Sequence, residues 1–350
     1  LVLFNKKDNH KISMATVIKN IETFLPEKIL TNKELCKKNA KWTEEKIFNK
    51  TGILERRISR KNETSLDLGI KAAKKLFNKL PEIKNKIDYL IFCTQTPDYF
   101  LPSGSCIIQD KLNIKKDIGT IDINQGCTGF VYGLSLSKGL IQGKIANNVL
   151  LITSDTYSKI INKNDLSVRT IFGDGACATL VSKESSNTSG IDEFIFGSDG
   201  SKFDKLIVQE GGFRNKEYFA NQGQISDKFG NQRNLNNLYM DGASILVFTL
   251  DVVPRLVKNL LEKSKLNLDD IDHFIFHQAN EFIIKKIISK INIPLKKVPI
   301  NLKFTGNTVS SSVPMTYQKC IEQKKILTGQ KIMLIGFGVG LSWAGCILRA

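Results

Sequence analysis

Residues 118–141 run Ile118-Gly119-Thr120-Ile121-Asp122-Ile123, then Asn124-Gln125-Gly126-Cys127-Thr128-Gly129, then Phe130-Val131-Tyr132-Gly133-Leu134-Ser135-Leu136-Ser137-Lys138-Gly139-Leu140-Ile141. The first block is a short β-forming run and predicts a strand over 118–123. The last block sets Phe130, Val131, Leu134 and Ile141 on one face and predicts a helix over 129–141. Between them, Gly126 and Gly129 permit a tight turn and close packing around one cysteine. Cys127 then lies at a helix N-terminus, the positive end of the helix dipole. A second unit of this form lies near the C-terminus. There Asn307 stands just before a helix predicted over Ser311 to Cys320. Two polar groups in matching places suggest a duplicated fold with one site between its halves.

Outward from this unit, strands and helices alternate. Ser65 to Leu80 carries apolar residues at 66, 70, 73, 76, 77 and 80, and Thr64 with Asp67 forms a capping-box pattern. Strands are predicted over Ile87 to Thr94, Val149 to Thr153 and Cys177 to Val181, and a helix from Pro102 to Leu112. In the second half, helices are predicted over Ala243 to Leu261, with Pro254 as a point of kinking, and over Glu281 to Ile291. Strands are predicted over Ile271 to Phe276, Ile332 to Ile335 and Leu341 to Leu348. The glycine-rich Gly336-Phe337-Gly338-Val339-Gly340 joins the last two. Asn215 to Asn237, rich in Asn, Gln and Gly, reads as a surface loop or flap. The alternation predicts an α/β fold with largely parallel sheets. The halves are placed at 14–186 and 187–350. Residues 1–13 read as an extension or tag remnant, because the apolar Leu1 to Phe4 precedes Lys6 and Lys7, the reverse of a signal peptide.

Composition narrows the class. At about 150 residues per domain, 350 residues make two domains or one duplicated one. Apolar residues form 41% of the chain, enough for a buried core. Lys and Arg number 51 against 34 Asp and Glu, a net +17 that suits an acidic partner. The lysines are spread through the chain without a nucleic-acid motif, which argues against nucleic-acid binding. No stretch reaches the about 18 to 20 apolar residues of a membrane span. Seven scattered cysteines with no CxxC pair argue against a disulfide framework and a zinc site, and for reduced thiols in the cytoplasm.

Three residue types can carry chemistry. A cysteine at a helix N-terminus has its thiolate favoured and can attack a carbonyl near neutral pH. The same residue also serves as a small buried hydrophobe, and context alone leaves both roles open for Cys127. His277 ends a strand, where α/β folds place ligand chemistry, although a hydrogen-bonded structural histidine fits as well. Asn307, in Gly306-Asn307-Thr308, is a turn residue by type.

Taken together, five segments in order resemble β-ketoacyl-acyl-carrier-protein synthase III. They are Gly126-Cys127-Thr128-Gly129-Phe130, Phe172-Gly173-Asp174-Gly175-Ala176, His277-Gln278-Ala279-Asn280, Gly306-Asn307-Thr308 and Gly336-Phe337-Gly338-Val339-Gly340-Leu341-Ser342-Trp343. Thr51-Gly52-Ile53 with Glu55-Arg56-Arg57, and Thr96-Pro97-Asp98 before Pro102, fit the same family. The resemblance implies a thiolase-like duplicated α/β fold of five layers, α/β/α/β/α, and a homodimer. It implies decarboxylating Claisen condensation of an acyl thioester with malonyl-acyl-carrier protein, the first step of fatty acid synthesis. The catalytic residues would be Cys127, His277 and Asn307, with the turn at Gly338 and Val339 serving the oxyanion. No metal or cofactor is implied beyond the coenzyme A or phosphopantetheine that substrates carry. A specialised relative acting in secondary metabolism or surface-glycan and lipid modification is the alternative. A thiolase fits less well, because Cys346 falls after the glycine-rich turn, inside a strand.

The departures from that family bear on the acyl donor. Members commonly hold coenzyme A with a Trp and two Arg, at positions occupied here by Lys46, Lys50 and Leu166. Trp42 lies four residues early, and Arg169 is near the second Arg position. Val339 stands where the family usually has Gly. Leu101 replaces a bulkier aromatic at the tip that lines the partner's acyl pocket. Lys50, Leu101 and Arg169 are therefore the expected substrate-binding residues. On the helix after His277, Lys285, Lys286 and Lys290 form a basic face for an acyl carrier protein, with Lys286 and Lys290 one turn apart. A solvated face is the equal alternative.

Overall fold

The computed structural model describes residues 14–37, 42–186, 190–214, 224–228 and 230–350. The expected extension at 1–13 lies outside them, as does much of the expected flap, 215–223 and 229. Nine of the fifteen strands among the described residues lie in two larger sheets, and the rest form short two-stranded pairs. The first combines β1 (Met14–Phe24), β2 (Tyr89–Cys93), β3 (Gly119–Ile123), β4 (Asn148–Asp155) and β5 (Gly175–Ser185), in the order β1-β5-β4-β2-β3. The second combines β6 (Gly190–Ser198), β7 (His273–Phe276), β8 (Lys331–Gly338) and β9 (Ser342–Arg349), in the order β7-β8-β9-β6.

The helices sort by which sheet face their apolar stripe meets. The helices of eight residues or more are α1 (Glu44–Thr51), α2 (Ser65–Lys79), α3 (Gly104–Lys111), α4 (Gly129–Gln142), α5 (Gly242–Ser264), α6 (Glu281–Ile291) and α7 (Ser312–Glu322). α2 and α3 cover the outer face of the first sheet, with Leu68, Leu76 and Phe77 packed on Leu90, Leu150 and Ile152. α4 and α7 pack against both sheets, so Phe130, Leu134, Val313 and Tyr317 meet Leu151 on one side and Leu334 on the other. α5 and α6 close the outer face of the second sheet, with Val252, Leu256 and Ile287 against Phe274 and Met333. The result is the five-layer α/β/α/β/α arrangement. β4 supplies Leu150 and Ile152 to one core and Val149 and Leu151 to the next. A strand buried on both faces reads as a continuous apolar run rather than an alternating one.

The pairing directions also repeat. β2 is parallel to β4, β4 antiparallel to β5, and β5 antiparallel to β1. β7 is parallel to β8, β8 antiparallel to β9, and β9 antiparallel to β6. The expectation of largely parallel sheets is therefore corrected to mixed sheets. The three residues between β8 and β9 permit only a return antiparallel strand.

Most predicted elements are present within a residue or two. Thr64 and Asp67 form the expected capping box. α5 is one continuous helix from 242 to 264 with Pro254 inside it. Some boundaries differ: β5 runs on to Ser185 where 181 is expected and α5 to Ser264 where 261 is expected. β8 continues through Gly338, so the join to β9 is residues 339–341 rather than the whole glycine-rich run. α3 begins at Gly104, not Pro102, because Asp122 on β3 accepts the N–H of Gly104 (2.6 Å) and of Ser105 (2.8 Å). The described part of the flap contains a small antiparallel pair, 225–226 with 232–233.

That cap is testable. Asp122→Ala should lower stability by about 0.5–2 kcal/mol, as loss of a helix N-terminal acceptor does. The exposed Asp110→Ala should fall within about 0.5 kcal/mol of the parent. Urea unfolding of both variants measures the difference.

Candidate active site

Cys127 stands between β3 and α4, one residue before the N-cap Thr128, and is 6% exposed. The turn that carries it is closely packed on several sides. A Cβ at Gly126 would stand 2.4 Å from Gln95 Oε1 and 2.6 Å from Val339 Cγ1, and one at Gly129 would stand 2.4 Å from Cys93 Sγ. The end of β8 closes against the same turn. A Cβ at Gly336 would lie 2.6 Å from the Cys127 carbonyl oxygen, and one at Gly338 2.9 Å from its sulfur. The Gly336–Gly338 glycines thus serve close packing of a strand on the cysteine.

Burial, followed by the Asp155 carboxylate, pushes the Cys127 thiol up to about 12. The backbone N–H groups of Val339 and of Cys127 itself act in the other direction. The expectation of a favoured thiolate is thereby corrected. The sulfur is enclosed in apolar surroundings, where desolvation of the charge outweighs the two N–H donors.

His277 directly follows β7 and is buried. Its Nδ1 is 2.7 Å from Ser312 Oγ, at the start of α7. That hydroxyl oxygen also accepts the Gln278 N–H at 3.3 Å. Burial lowers the imidazole to about 3, against a backbone contact with Val309, so the ring is neutral at physiological pH.

Asn307 is held by its own backbone. Its N–H donates to the Ile171 carbonyl and its carbonyl accepts the Gly173 N–H, each at 2.9 Å. Its side-chain oxygen accepts the Val309 N–H at 2.9 Å, which leaves the amide nitrogen facing His277, 3.4 Å from Nε2. Val309 has φ 52, a strained left-handed conformation for a β-branched residue. Cys127, His277 and Asn307 all line one cavity of about 180 Å3, with Ile171, Phe172 and Ile283 among its apolar walls. Of the expected oxyanion residues, Gly338 lines this cavity and Val339 presents its N–H to the sulfur.

The other expected binding residues lie outside that cavity. The amines of Lys46 and Lys50 sit over the Trp42 ring, at 5.3 and 5.1 Å from its centre. Leu166 is buried beside Leu30, Leu35 and Ile47, and Trp42 packs on that cluster. Arg169 is half-buried, donates to the Lys163 carbonyl, and lines a separate basic cavity with Lys28, Lys37 and Lys163. Leu101 is 81% exposed. Lys285, Lys286 and Lys290 are exposed on α6, where Lys285 pairs with Glu281 at 2.7 Å and Lys286 lies over Phe282.

Sequence reasoning missed Ser312, which fixes the His277 ring, and Asp155, which faces Cys127. Ser312 lay in a predicted helix and Asp155 just beyond a predicted strand. Neither carries a local signal, because each acts on a residue far away in the chain.

Residues 121–200 match the family model for 3-oxoacyl-[acyl-carrier-protein] synthase III, and residues 261–350 match the model for its C-terminal part. A β-ketoacyl-[acyl-carrier-protein] synthase III from Clostridium perfringens is 35% identical over 326 residues, 93% of this chain and 96% of the relative. The chain belongs to the 3-oxoacyl-[acyl-carrier-protein] synthase III family. Its fold agrees with the membership. A crystal structure of a 3-oxoacyl-(acyl-carrier-protein) synthase III superimposes with a TM-score of 0.94, at 43% identity, over 96% of this chain and 100% of that one. The priming β-ketosynthase of the R1128 polyketide pathway superimposes with a TM-score of 0.84, at 26% identity, covering 96% of each chain. Like its family, this synthase is a condensing acyltransferase of fatty acid synthesis. None of its described helices is long and apolar enough to cross a membrane.

The buried imidazole has a consequence for stability. As pH falls below 6.5, the unfolded chain protonates His277, whereas the folded chain does so only near 3. The unfolded state binds more protons in that window, so stability is lost as pH falls from 6.5 towards 3. Urea unfolding at pH 7 and pH 5 should show a larger loss in the parent than in His277→Asn.

Proposed function

We propose that Cys127 is the acyl-accepting nucleophile, and that His277 and Asn307 stabilise the enolate of the malonyl extender. The observation that carries this reading is the pairing of His277 Nε2 and Asn307 Nδ2, 3.4 Å apart, in residues that line the same cavity as Cys127. The Asn307 amide nitrogen is a donor, because its oxygen is committed to Val309. When Ser312 donates its hydroxyl hydrogen to His277 Nδ1, Nε2 carries the ring hydrogen. Two donors so placed converge on one carbonyl oxygen.

The reaction follows in balanced steps. Cys127 sulfur adds to the donor thioester carbonyl, the N–H groups of Val339 and Cys127 hold the oxyanion, and the donor thiol leaves with the proton. Malonyl-acyl-carrier protein then binds. Its C–C bond breaks, carbon dioxide leaves, and the electron pair becomes an enolate whose oxygen accepts from His277 and Asn307. The enolate carbon attacks the acyl-Cys127 carbonyl. A β-ketoacyl carrier protein forms and Cys127 is released. Neutral donors suit this sequence, since a neutral His277 donates a hydrogen bond without giving up a charge. No metal or redox cofactor takes part in these steps.

The partner is an acidic acyl carrier protein, steered by Lys285, Lys286 and Lys290. A stacked adenine gains roughly 0.5 to 2 kcal/mol from an aromatic ring and a guanidinium, and Lys46 and Leu166 supply neither. Acyl-carrier donors are therefore used at least as well as acyl-coenzyme A. The protein acts as a cytoplasmic homodimer. Phe100 and Leu101, 76% and 81% exposed, stand near β3, which is an edge strand with Ile121 43% exposed, and a second copy would cover these apolar groups. The specialised role in secondary metabolism has one observation in its favour, the shared fold with the R1128 priming ketosynthase.

Incubation with an acyl donor should add one acyl mass to the peptide containing Cys127, and none in Cys127→Ala. His277→Ala and Asn307→Ala should still acylate but lose roughly a hundred- to a thousandfold in malonyl decarboxylation. Comparing kcat/KM for one acyl group on coenzyme A and on carrier protein tests the donor. The carrier rate should fall with salt and in Lys285→Glu and Lys286→Glu. A strong coenzyme A preference insensitive to both changes would refute that part.

A further inference from the structure

Thr128 is the N-cap of α4, yet its hydroxyl makes no cap bond to the helix. An N-cap threonine ordinarily accepts a backbone N–H of the first turn. Here the side chain crosses instead to the other half of the fold. Its Oγ1 is 3.2 Å from the Oγ of Ser342, the first residue of β9 and 214 positions away in the chain. Ser342 Oγ in turn donates to the Val339 carbonyl at 2.8 Å. That bond uses the one hydrogen of the Ser342 hydroxyl, so Thr128 is the donor to Ser342. The same Thr128 hydroxyl has Gln125 Oε1, in the cysteine turn, as a second acceptor at 3.1 Å. Both residues are buried, Thr128 at 1% and Ser342 at 4% exposure. The far end of the turn from 339 to 341 is held by Asp199. Its N–H donates to the Leu341 carbonyl at 2.8 Å, and its carbonyl accepts the Leu341 N–H at 3.1 Å. Those two bonds fix Leu341. Val339 sits between Gly338 and Gly340, which have φ 153 and 137, and glycine leaves the backbone free to rotate. Val339 therefore needs a hold of its own.

We propose that Thr128 and Ser342 are positioning residues that fix the Val339 peptide beside Cys127 for acyl transfer. The carbonyl held by Ser342 and the N–H assigned above to the oxyanion flank the same α-carbon, so holding one limits rotation of the other. The turn already touches the nucleophile. A Cβ at Gly338 would stand 2.9 Å from the Cys127 sulfur, and one at Gly126 would stand 2.6 Å from Val339 Cγ1. Thr128 is the residue after Cys127. The clip therefore sets the sulfur and the oxyanion donor in one frame, built from the start of α4 in the first half and of β9 in the second. A donor stabilises the developing charge only where it is already aimed at the place the oxyanion will occupy. The inference rests on Cys127 being the acyl acceptor and on the Val339 N–H holding its oxyanion.

The test is single-turnover acylation of the enzyme by acetyl and isobutyryl thioesters of coenzyme A and of acyl carrier protein. Mass spectrometry of the Cys127 peptide reads the rate constant, the donor concentration at half-maximal rate and the final extent. Ser342→Ala loses two hydrogen bonds and should lower the rate constant at saturating donor about tenfold, with half-saturation and extent unchanged. Thr128→Val loses one and should fall about threefold, and Thr128→Ser, which keeps the hydroxyl, should recover that loss. The double variant Thr128→Val with Ser342→Ala should be no slower than Ser342→Ala alone, because Thr128 acts through Ser342. A merely structural role would lower the acylated extent and leave the rate constant alone. Where Ser342→Ala does not fold, Thr128→Val against Thr128→Ser carries the same comparison. Parental rate constants in Ser342→Ala and Thr128→Val would overturn the proposal. So would a loss confined to half-saturation or extent, or two losses that multiply in the double variant. A parent that takes its acyl group elsewhere than Cys127 would overturn the nucleophile reading and this one with it. An acylated Cys127 with unaffected variants would overturn this one alone.

Discussion

Two backbone hydrogen bonds tie residue 307 to residues 171 and 173, and the geometry of the proposed catalytic site depends on them. The parallel bridge between Phe172 and Asn307 is the point where the segment joining β4 to β5 meets a turn leading into α7. Without it, Asn307 would be an ordinary turn residue. With it, the Asn307 side-chain oxygen can bond Val309 and leave the nitrogen aimed at His277. The strained φ of Val309 is tolerated because the surrounding contacts over-determine it.

The enclosure formed around this junction sets the electrostatics. Cys127 and His277 are both pushed towards their neutral forms by burial, in opposite directions on the pH scale. Charge separation in the resting site is therefore unfavourable, and the stabilising groups are fixed neutral donors. In a dry site such donors act on a developing oxyanion more strongly than they would in water. The polar residues left inside are bonded rather than ionised freely. Ser311, for example, donates to the Thr153 carbonyl at 3.0 Å while Ser310 serves Asp155.

The outer surface serves other needs. The excess of lysine gives a long-range field for an acidic carrier, and salt screens it beyond about 10 Å at 0.1 M. The single helix after His277 shows how local pairing moderates that field, since Glu281 engages Lys285 while Lys290 remains exposed. Apolar groups at residues 99–101 and the open edge of β3 form the exposed surface that the proposed second copy would cover.

How much was legible in the chain follows from range. Helices with strong periodicity, such as α2 and α6, and the strand–Cys–helix unit at 118–141 were readable because their signals lie within a few residues. Cys127, His277 and Asn307 were singled out by glycine contexts and element ends, then gathered by family resemblance. β1 and β6 gave no clear pattern, since each has a register shift and mixed exposure that break the alternation. The glycines at 336 and 338 read as a turn, and only packing on the cysteine revealed them as strand. The thiolate expectation failed for the same reason. The sequence determined that a cysteine would sit at a helix start, which is local. Whether that sulfur is charged was decided by what the fold brings around it, a buried Asp155 and two sheets of apolar side chains, and burial is a property of the tertiary structure alone.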